Sequence, residues 1–278
     1  MRVGRIPYIN CYPVYGAIDR GEVPLAATLV DGVPTALNAL MRQGALDISV
    51  VSAVEYAREA ERYLLLPDLA ISCDGPVRSV MLFAKRPAAE LEGARVMVSR
   101  SSMTSVALVE LLAEHVWRVR PRFVPGNAEV GDLASLDAED HDGRLVIGDA
   151  ALLLGAGARR GAPIYPFAYD LGAEWKRWTG LPFVFAVWVA RRAVPVDRAL
   201  AVHAALVASR DWGLRHLDTL AERAAAATGV APRICHDYLS GLDYGLSYKH
   251  LAGLTEFFRR LVAAGRVPDG SLAFLPAA

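Results

Sequence analysis

The chain is predicted to be α/β: one α/β lobe inserted into another, joined by two crossings and finished by C-terminal helices. Three observations lead there. Short apolar runs alternate with helical patterns, which argues for sheets covered by helices. The length of 278 residues suggests two lobes at roughly 150 residues per domain. Hydrophobic residues make up 54% of the chain, enough for a substantial core.

Residues 3–9 read as an opening strand, stopped by Asn10-Cys11-Tyr12-Pro13, and residues 14–20 as a short helix closed by Gly21. Residues 25–30 are strand-like, with Asp31-Gly32 as a turn. Residues 34–43 carry Leu37, Leu40 and Met41 at helical spacing, with Pro34 in the first turn and Gly44 beyond the end. Residues 46–51 read as a buried parallel strand. A polar helix follows Ser52, then strands at 70–73 and 79–84. Residues 85–93 are expected to cross into the second lobe, whose first strand is 95–98. The segment from Ser99 to Ser105 then opens a helix with Leu108, Leu111, Leu112, Val116 and Val119 on one face. Residues 122–124 and 145–148 are two more short strands. The very apolar run 183–190 returns to the first lobe, helices at 199–213, 219–228 and 247–264 complete it, and a tail begins at 267. The implied division is 1–86 with 184–278 for the first lobe and 87–183 for the second, with a ligand cleft between them.

Lys plus Arg and Asp plus Glu are both 30, so the formal charge is zero. A nucleic-acid partner would call for a basic excess or stripe, and none is present. The opening Met1-Arg2-Val3-Gly4-Arg5-Ile6-Pro7 lacks the basic and apolar segments of a secretory signal. The apolar stretch 181–190 is far too short to span a membrane. The reading is therefore a cytoplasmic protein with neither nucleic acid nor membrane as partner. Cys11, Cys73 and Cys235 lie far apart with no ligand spacing, which fits reduced thiols and no metal site.

In such folds ligands bind beyond the carboxyl ends of strands, so those positions carry the information. Asn10 follows the first strand, where an amide either caps a turn or orients a ligand by donating and accepting at once. Ser99 to Ser105 holds five hydroxyls within seven residues at a strand-to-helix junction. One would suffice for capping. A helix start leaves unpaired N–H groups and about half a positive charge, so Ser101, Ser102 and Thr104 point to a cradle for a carboxylate or phosphate. Ser52 and Ser79 occupy comparable positions in the first lobe. Asp149, after Ile147-Gly148, either orients a ligand or caps the following helix. There is no Gly-x-Ser-x-Gly, HExxH, P-loop or GxGxxG, and no histidine stands at a strand end, so Ser/His/Asp catalysis fits poorly.

Gly4-Arg5-Ile6-Pro7-Tyr8-Ile9-Asn10-Cys11-Tyr12-Pro13-Val14-Tyr15 resembles the opening of the chorismate dehydratases of the futalosine menaquinone pathway. Asp31-Gly32-Val33-Pro34, Leu46-Asp47-Ile48-Ser49, Gly75-Pro76-Val77-Arg78-Ser79 and Ser101-Ser102-Met103-Thr104-Ser105 extend the resemblance over most of the chain to about residue 263. It implies a periplasmic-binding-protein-like type II fold used as a lyase with no metal or organic cofactor. The reaction implied is loss of water from chorismate, a small dicarboxylate, to give 3-[(1-carboxyvinyl)oxy]benzoate. On this resemblance Ser101, Ser102 and Thr104 hold one carboxylate. Asn10 and Ser79 act from the other lobe on the leaving hydroxyl or the enolpyruvyl arm, and Ser52 and Asp149 help to bind. The base is either Asp149 or the substrate's own enolpyruvyl carboxylate, which has the advantage of proximity. The related 1,4-dihydroxy-6-naphthoate synthases share the fold and are thought to use a histidine base in the second lobe. Here the corresponding stretch reads Leu145-Val146-Ile147-Gly148-Asp149, with His141 before the strand, which favours the dehydratase. A solute-binding receptor for a small carboxylate is the rival from another class.

Overall fold

The computed structural model describes residues 1–126, 140–157 and 165–276. The opening strand β1 (Arg2–Arg5) is shorter than residues 3–9, because Pro7 cannot donate to a ladder and the chain coils into a 3₁₀ turn at Ile9–Cys11. Then follow α1 (Tyr12–Asp19), β2 (Thr28–Asp31), α2 (Pro34–Arg42), β3 (Ile48–Ser52) and α3 (Ala53–Arg58). The strand β4 (Tyr63–Cys73) is much longer than the expected 70–73. It lies at a sheet edge, where Pro67 is tolerated although it interrupts the strand signal. Next come β5 (Val80–Ala84), β6 (Arg95–Ser99), α4 (Met103–Leu112), β7 (Arg122–Gly126), β8 (Gly143–Ile147) and α5 (Gly148–Gly157). The chain continues through β9 (Phe167–Asp170), α6 (Leu171–Thr179), β10 (Phe183–Arg191), α7 (Val196–Arg215), α8 (Leu217–Thr228), α9 (Pro232–Leu239) and α10 (Tyr248–Ala263).

Among the described residues two five-stranded sheets result, in the orders β2-β1-β3-β10-β4 and β7-β6-β8-β5-β9. Their plans match: three parallel strands, then an antiparallel strand in fourth place, which in each sheet comes from elsewhere in the chain. In the first sheet that strand is β10, as the apolar run 183–190 suggested. In the second it is β5, which pairs with β8 and β9. This moves the first crossing from the expected 85–93 to the stretch between Cys73 and Val80, so the boundary at residue 86 falls too late. The strand Val80–Ala84 is buried almost throughout and fits either sheet by composition. What redirects the chain is the turn before it, where Gly75 has φ +132° and Arg78 is left-handed at φ 62°. Asp170 holds that turn by accepting from the amides of Val77 (3.0 Å) and Arg78 (2.6 Å), while also capping α6 through Ala173 (3.1 Å).

The C-terminal segment adds to the exposed edge of β4. Leu65 donates to the carbonyl of Ala273 and accepts from Leu275, while Ser72 exchanges backbone bonds with Asp243. Covering an edge this way removes a template for unwanted pairing. Among the described residues no helix is long and apolar enough to cross a membrane. Cys11, Cys73 and Cys235 are buried and unpaired.

Helix α10 packs on the start of β10 through Gly253, where an added Cβ would stand 2.0 Å from the carbonyl oxygen of Pro182. Alanine is the better helix former by about 1 kcal/mol. The clash is with backbone, which cannot swing aside, and overpacking of this kind costs about 3 kcal/mol. Gly253→Ala is thus expected to lower stability by about 2 kcal/mol net, read as a lower urea midpoint at unchanged slope. A raised midpoint would mean that helix and strand stand further apart.

Candidate active site

The carboxyl ends of the parallel strands β1, β3, β6 and β8 open on one hollow between the sheets. It has ≈ 580 Å³ of space free of protein atoms, part of it open to solvent. Tyr8 and Asn10 come from the turn after β1, Ser52 from the end of β3, Ser102 and Ser105 from the start of α4, and Gly148 from the start of α5. The first crossing supplies Val77, Ser79 and Val80, and β10 supplies Phe185 and Ala186. Gly148 is left-handed at φ +64°, and a Cβ there would come within 3.2 Å of the Tyr8 ring, so its bare backbone lets the two sheets approach.

Among the described residues that line it, none is acidic or basic. Positive potential comes instead from helix ends: α2 begins at Pro34, α3 is capped by Ser52, α4 by Ser102, and α5 begins at Gly148. Each start contributes unpaired N–H groups and a partial positive charge. The hydroxyls add to this. Ser52 Oγ accepts from Asn38 Nδ2 (3.0 Å) and from the amide of Glu55 (3.4 Å). Ser102 Oγ accepts from the amide of Ser105 (3.2 Å) and lies 2.8 Å from Ser105 Oγ. Ser79 Oγ lies 2.8 Å from the phenol of Tyr238. With lone pairs already engaged inside the protein, Ser52 and Ser105 keep protons to offer a ligand. Asn10 Oδ1 is buried with no partner among the described residues, leaving an acceptor for a ligand hydroxyl. The hollow therefore favours an anion that also carries a hydroxyl and an apolar ring.

Of the residues singled out from sequence, Asn10, Ser52, Ser79 and Ser102 meet at this hollow. Thr104 and Ser101 do not line it. Thr104 is buried and its Oγ1 accepts from the amide of Val54 (3.2 Å), so it ties α4 to α3. The amide of Ser101 donates to Ser99 Oγ (3.0 Å). Asp149 stands beside the hollow in the first turn of α5, where Oδ1 accepts from the amide of Ile9 at 3.3 Å. That bond links the second sheet's helix to the turn carrying Asn10. His141 precedes β8 at the end away from the hollow, with Nε2 2.5 Å from the phenol of Tyr165. Sequence reading missed Tyr8, Ser105 and Tyr238. Ser105 lay within a quoted motif, whereas Tyr238 sits on a helix that was not expected.

Two α/β layers with a ligand hollow at their facing strand ends define a periplasmic-binding-protein-like fold. The alkanesulfonate-binding protein SsuA from Xanthomonas axonopodis pv. citri has it too, with a TM-score of 0.69 and 13% identity over 98% of this chain and 96% of that one. Residues 1–263 match the family model described as menaquinone biosynthesis, and the chain belongs to that family. It is 36% identical to the chorismate dehydratase of Thermus thermophilus over 84% of this chain and 86% of that protein. To the 1,4-dihydroxy-6-naphthoate synthase of the same organism it is 27% identical, over 78% of this chain and 75% of that protein.

Proposed function

We propose that the chain is a chorismate dehydratase, eliminating water from chorismate to give 3-[(1-carboxyvinyl)oxy]benzoate. The observation that carries this reading is a hollow built of helix starts and hydroxyl donors, with no charged side chain among the described residues that line it, in a member of the menaquinone-biosynthesis family. The higher identity to the dehydratase supports the choice within the family. So does His141, which is removed from the hollow and bonded to Tyr165, and so is badly placed to act as base.

Chorismate carries two carboxylates and a ring hydroxyl. Removal of the C3 proton sends its electron pair into a new C3–C4 double bond, and hydroxide leaves from C4. Proton and hydroxide together make the water, and the ring becomes aromatic, which supplies the driving force. The first amides of α4 and the Ser105 hydroxyl hold one carboxylate, with Ser102 donating to Ser105. Asn10 and Ser79 orient the leaving hydroxyl or the enolpyruvyl arm, and Ser52 assists. Preorganised donors of this kind stabilise charge as it spreads through the ring. The substrate's enolpyruvyl carboxylate takes the C3 proton, held close enough to profit from proximity. Free buried thiols suit a reducing cytoplasm, to which we assign the enzyme.

Purified protein incubated with chorismate should produce the aromatic ultraviolet spectrum of the product. Chorismate that binds but stays unchanged would identify a receptor instead. Asp149→Asn separates the two bases, since the amide still accepts from Ile9 but cannot take a proton. Turnover within about threefold of the parent is expected. A loss of a thousandfold would make Asp149 the base.

A further inference from the structure

Helix α9 (Pro232–Leu239) brings Tyr238 beneath the first crossing, fully buried, with its phenol oxygen 2.8 Å from Ser79 Oγ. Burial pushes this phenol well above its ordinary pKa, so it keeps its proton. Each hydroxyl can donate once, and the direction of this bond follows from what else each can reach. Among the described residues the Tyr238 oxygen has no second partner. If Ser79 donated to it, the phenol proton would be buried with nothing to bind, an arrangement that folded proteins avoid. Tyr238 must therefore donate and Ser79 accept. Ser79 then has its own proton to give. Inside the protein the acceptor within reach is the carbonyl of Val77, at a long 3.4 Å. The other direction is the hollow, which Ser79 lines.

We infer that Tyr238 is a positioning residue that fixes the Ser79 hydroxyl as a hydrogen-bond donor to the bound carboxylated ligand. This rests on the reading of the hollow as the chorismate site. Accepting from Tyr238 also strengthens Ser79 as a donor, because hydrogen bonds in series polarise one another. Without the phenol, Ser79 is free to turn its lone pairs to the ligand, where they repel an anionic oxygen.

The test is a double-mutant cycle of Tyr238→Phe and Ser79→Ala, read by chorismate kinetics and, separately, by titration with the product 3-[(1-carboxyvinyl)oxy]benzoate. In the parent background Tyr238→Phe should lower kcat and product affinity about tenfold. In the Ser79→Ala background the same change should alter either by less than twofold, because there is no hydroxyl left to orient. Equal losses in both backgrounds would overturn the inference and leave Tyr238 a packing residue. The phenylalanine keeps the buried ring, and thermal melts of all four proteins verify folding. Product titration does not need turnover. If the parent binds product but leaves chorismate unchanged, the proposed activity fails while the cycle still decides the role of Tyr238. Parent protein that does not bind product overturns both.

Discussion

Asn10→Ala and Ser79→Ala are each expected to lower kcat/KM for chorismate by about 10²–10³-fold, the usual cost of removing one preorganised hydrogen-bonding group from a site that stabilises developing charge. The two should differ in their effect on the fold. Asn10 Oδ1 has no protein partner among the described residues, so its removal should leave the melting temperature nearly unchanged. Ser79→Ala strands the buried phenol of Tyr238 and should cost about 1–3 kcal/mol of stability. Steady-state rates measured well below both melting temperatures separate activity from folding. Rates within fivefold of the parent for both variants would remove these side chains from the chemistry.

Ser102→Asp is expected to abolish useful substrate binding while leaving the protein at least as stable. Aspartate caps a helix as well as serine does, and its charge suits the positive end of α4. The same charge would face a substrate carboxylate in a hollow that has no cation among its described lining residues to offset it. Two like charges about 5 Å apart at an effective dielectric near 20 repel by about 3 kcal/mol, or roughly 10²-fold in affinity. Product titration and a thermal melt on the same sample check both halves. Unchanged affinity with raised stability would mean that the mouth of α4 acts as a cap and does not meet the anion.

The fold class was legible because most elements carry local signals. Pro34 and Gly44 bracket α2, and residues 48–52 form a wholly buried strand as their apolar run requires. Three features were hidden for physical reasons. The strand β5 has no residue that prefers one sheet to the other, so only the left-handed turn at Arg78 reveals where the crossing lies. The pair β9 and α6, with Asp170 as cap, follows a stretch with little periodicity. The eight-residue α9 is short, although Pro232 in its first turn and Ile234, Cys235, Tyr238 and Leu239 on one face were a usable signal.

The candidate site divided in the same way. Strand ends pointed to Asn10, Ser52 and Ser102, which line the hollow, because chain direction alone decides which end of a parallel strand opens on it, whereas Ser79 reaches the hollow from the amino end of the antiparallel β5. Sequence could not tell which hydroxyl of the Ser99 to Ser105 run faces the hollow. That depends on helix phase: Ser102 and Ser105, three apart, share the side toward it, while Thr104 turns to Val54. Tyr238 lies 159 residues from Ser79, and no local pattern connects them.

The grip on a dianion by helix mouths and hydroxyls is best tested by a crystal structure of the complex with 3-[(1-carboxyvinyl)oxy]benzoate. One carboxylate should sit within hydrogen-bond distance of the Ser105 hydroxyl and the first amides of α4, with Asn10 and Ser79 on the other end of the molecule. Product found instead in the neighbouring groove lined by Arg58, Arg100 and Arg266, with the hollow unfilled, would contradict the account.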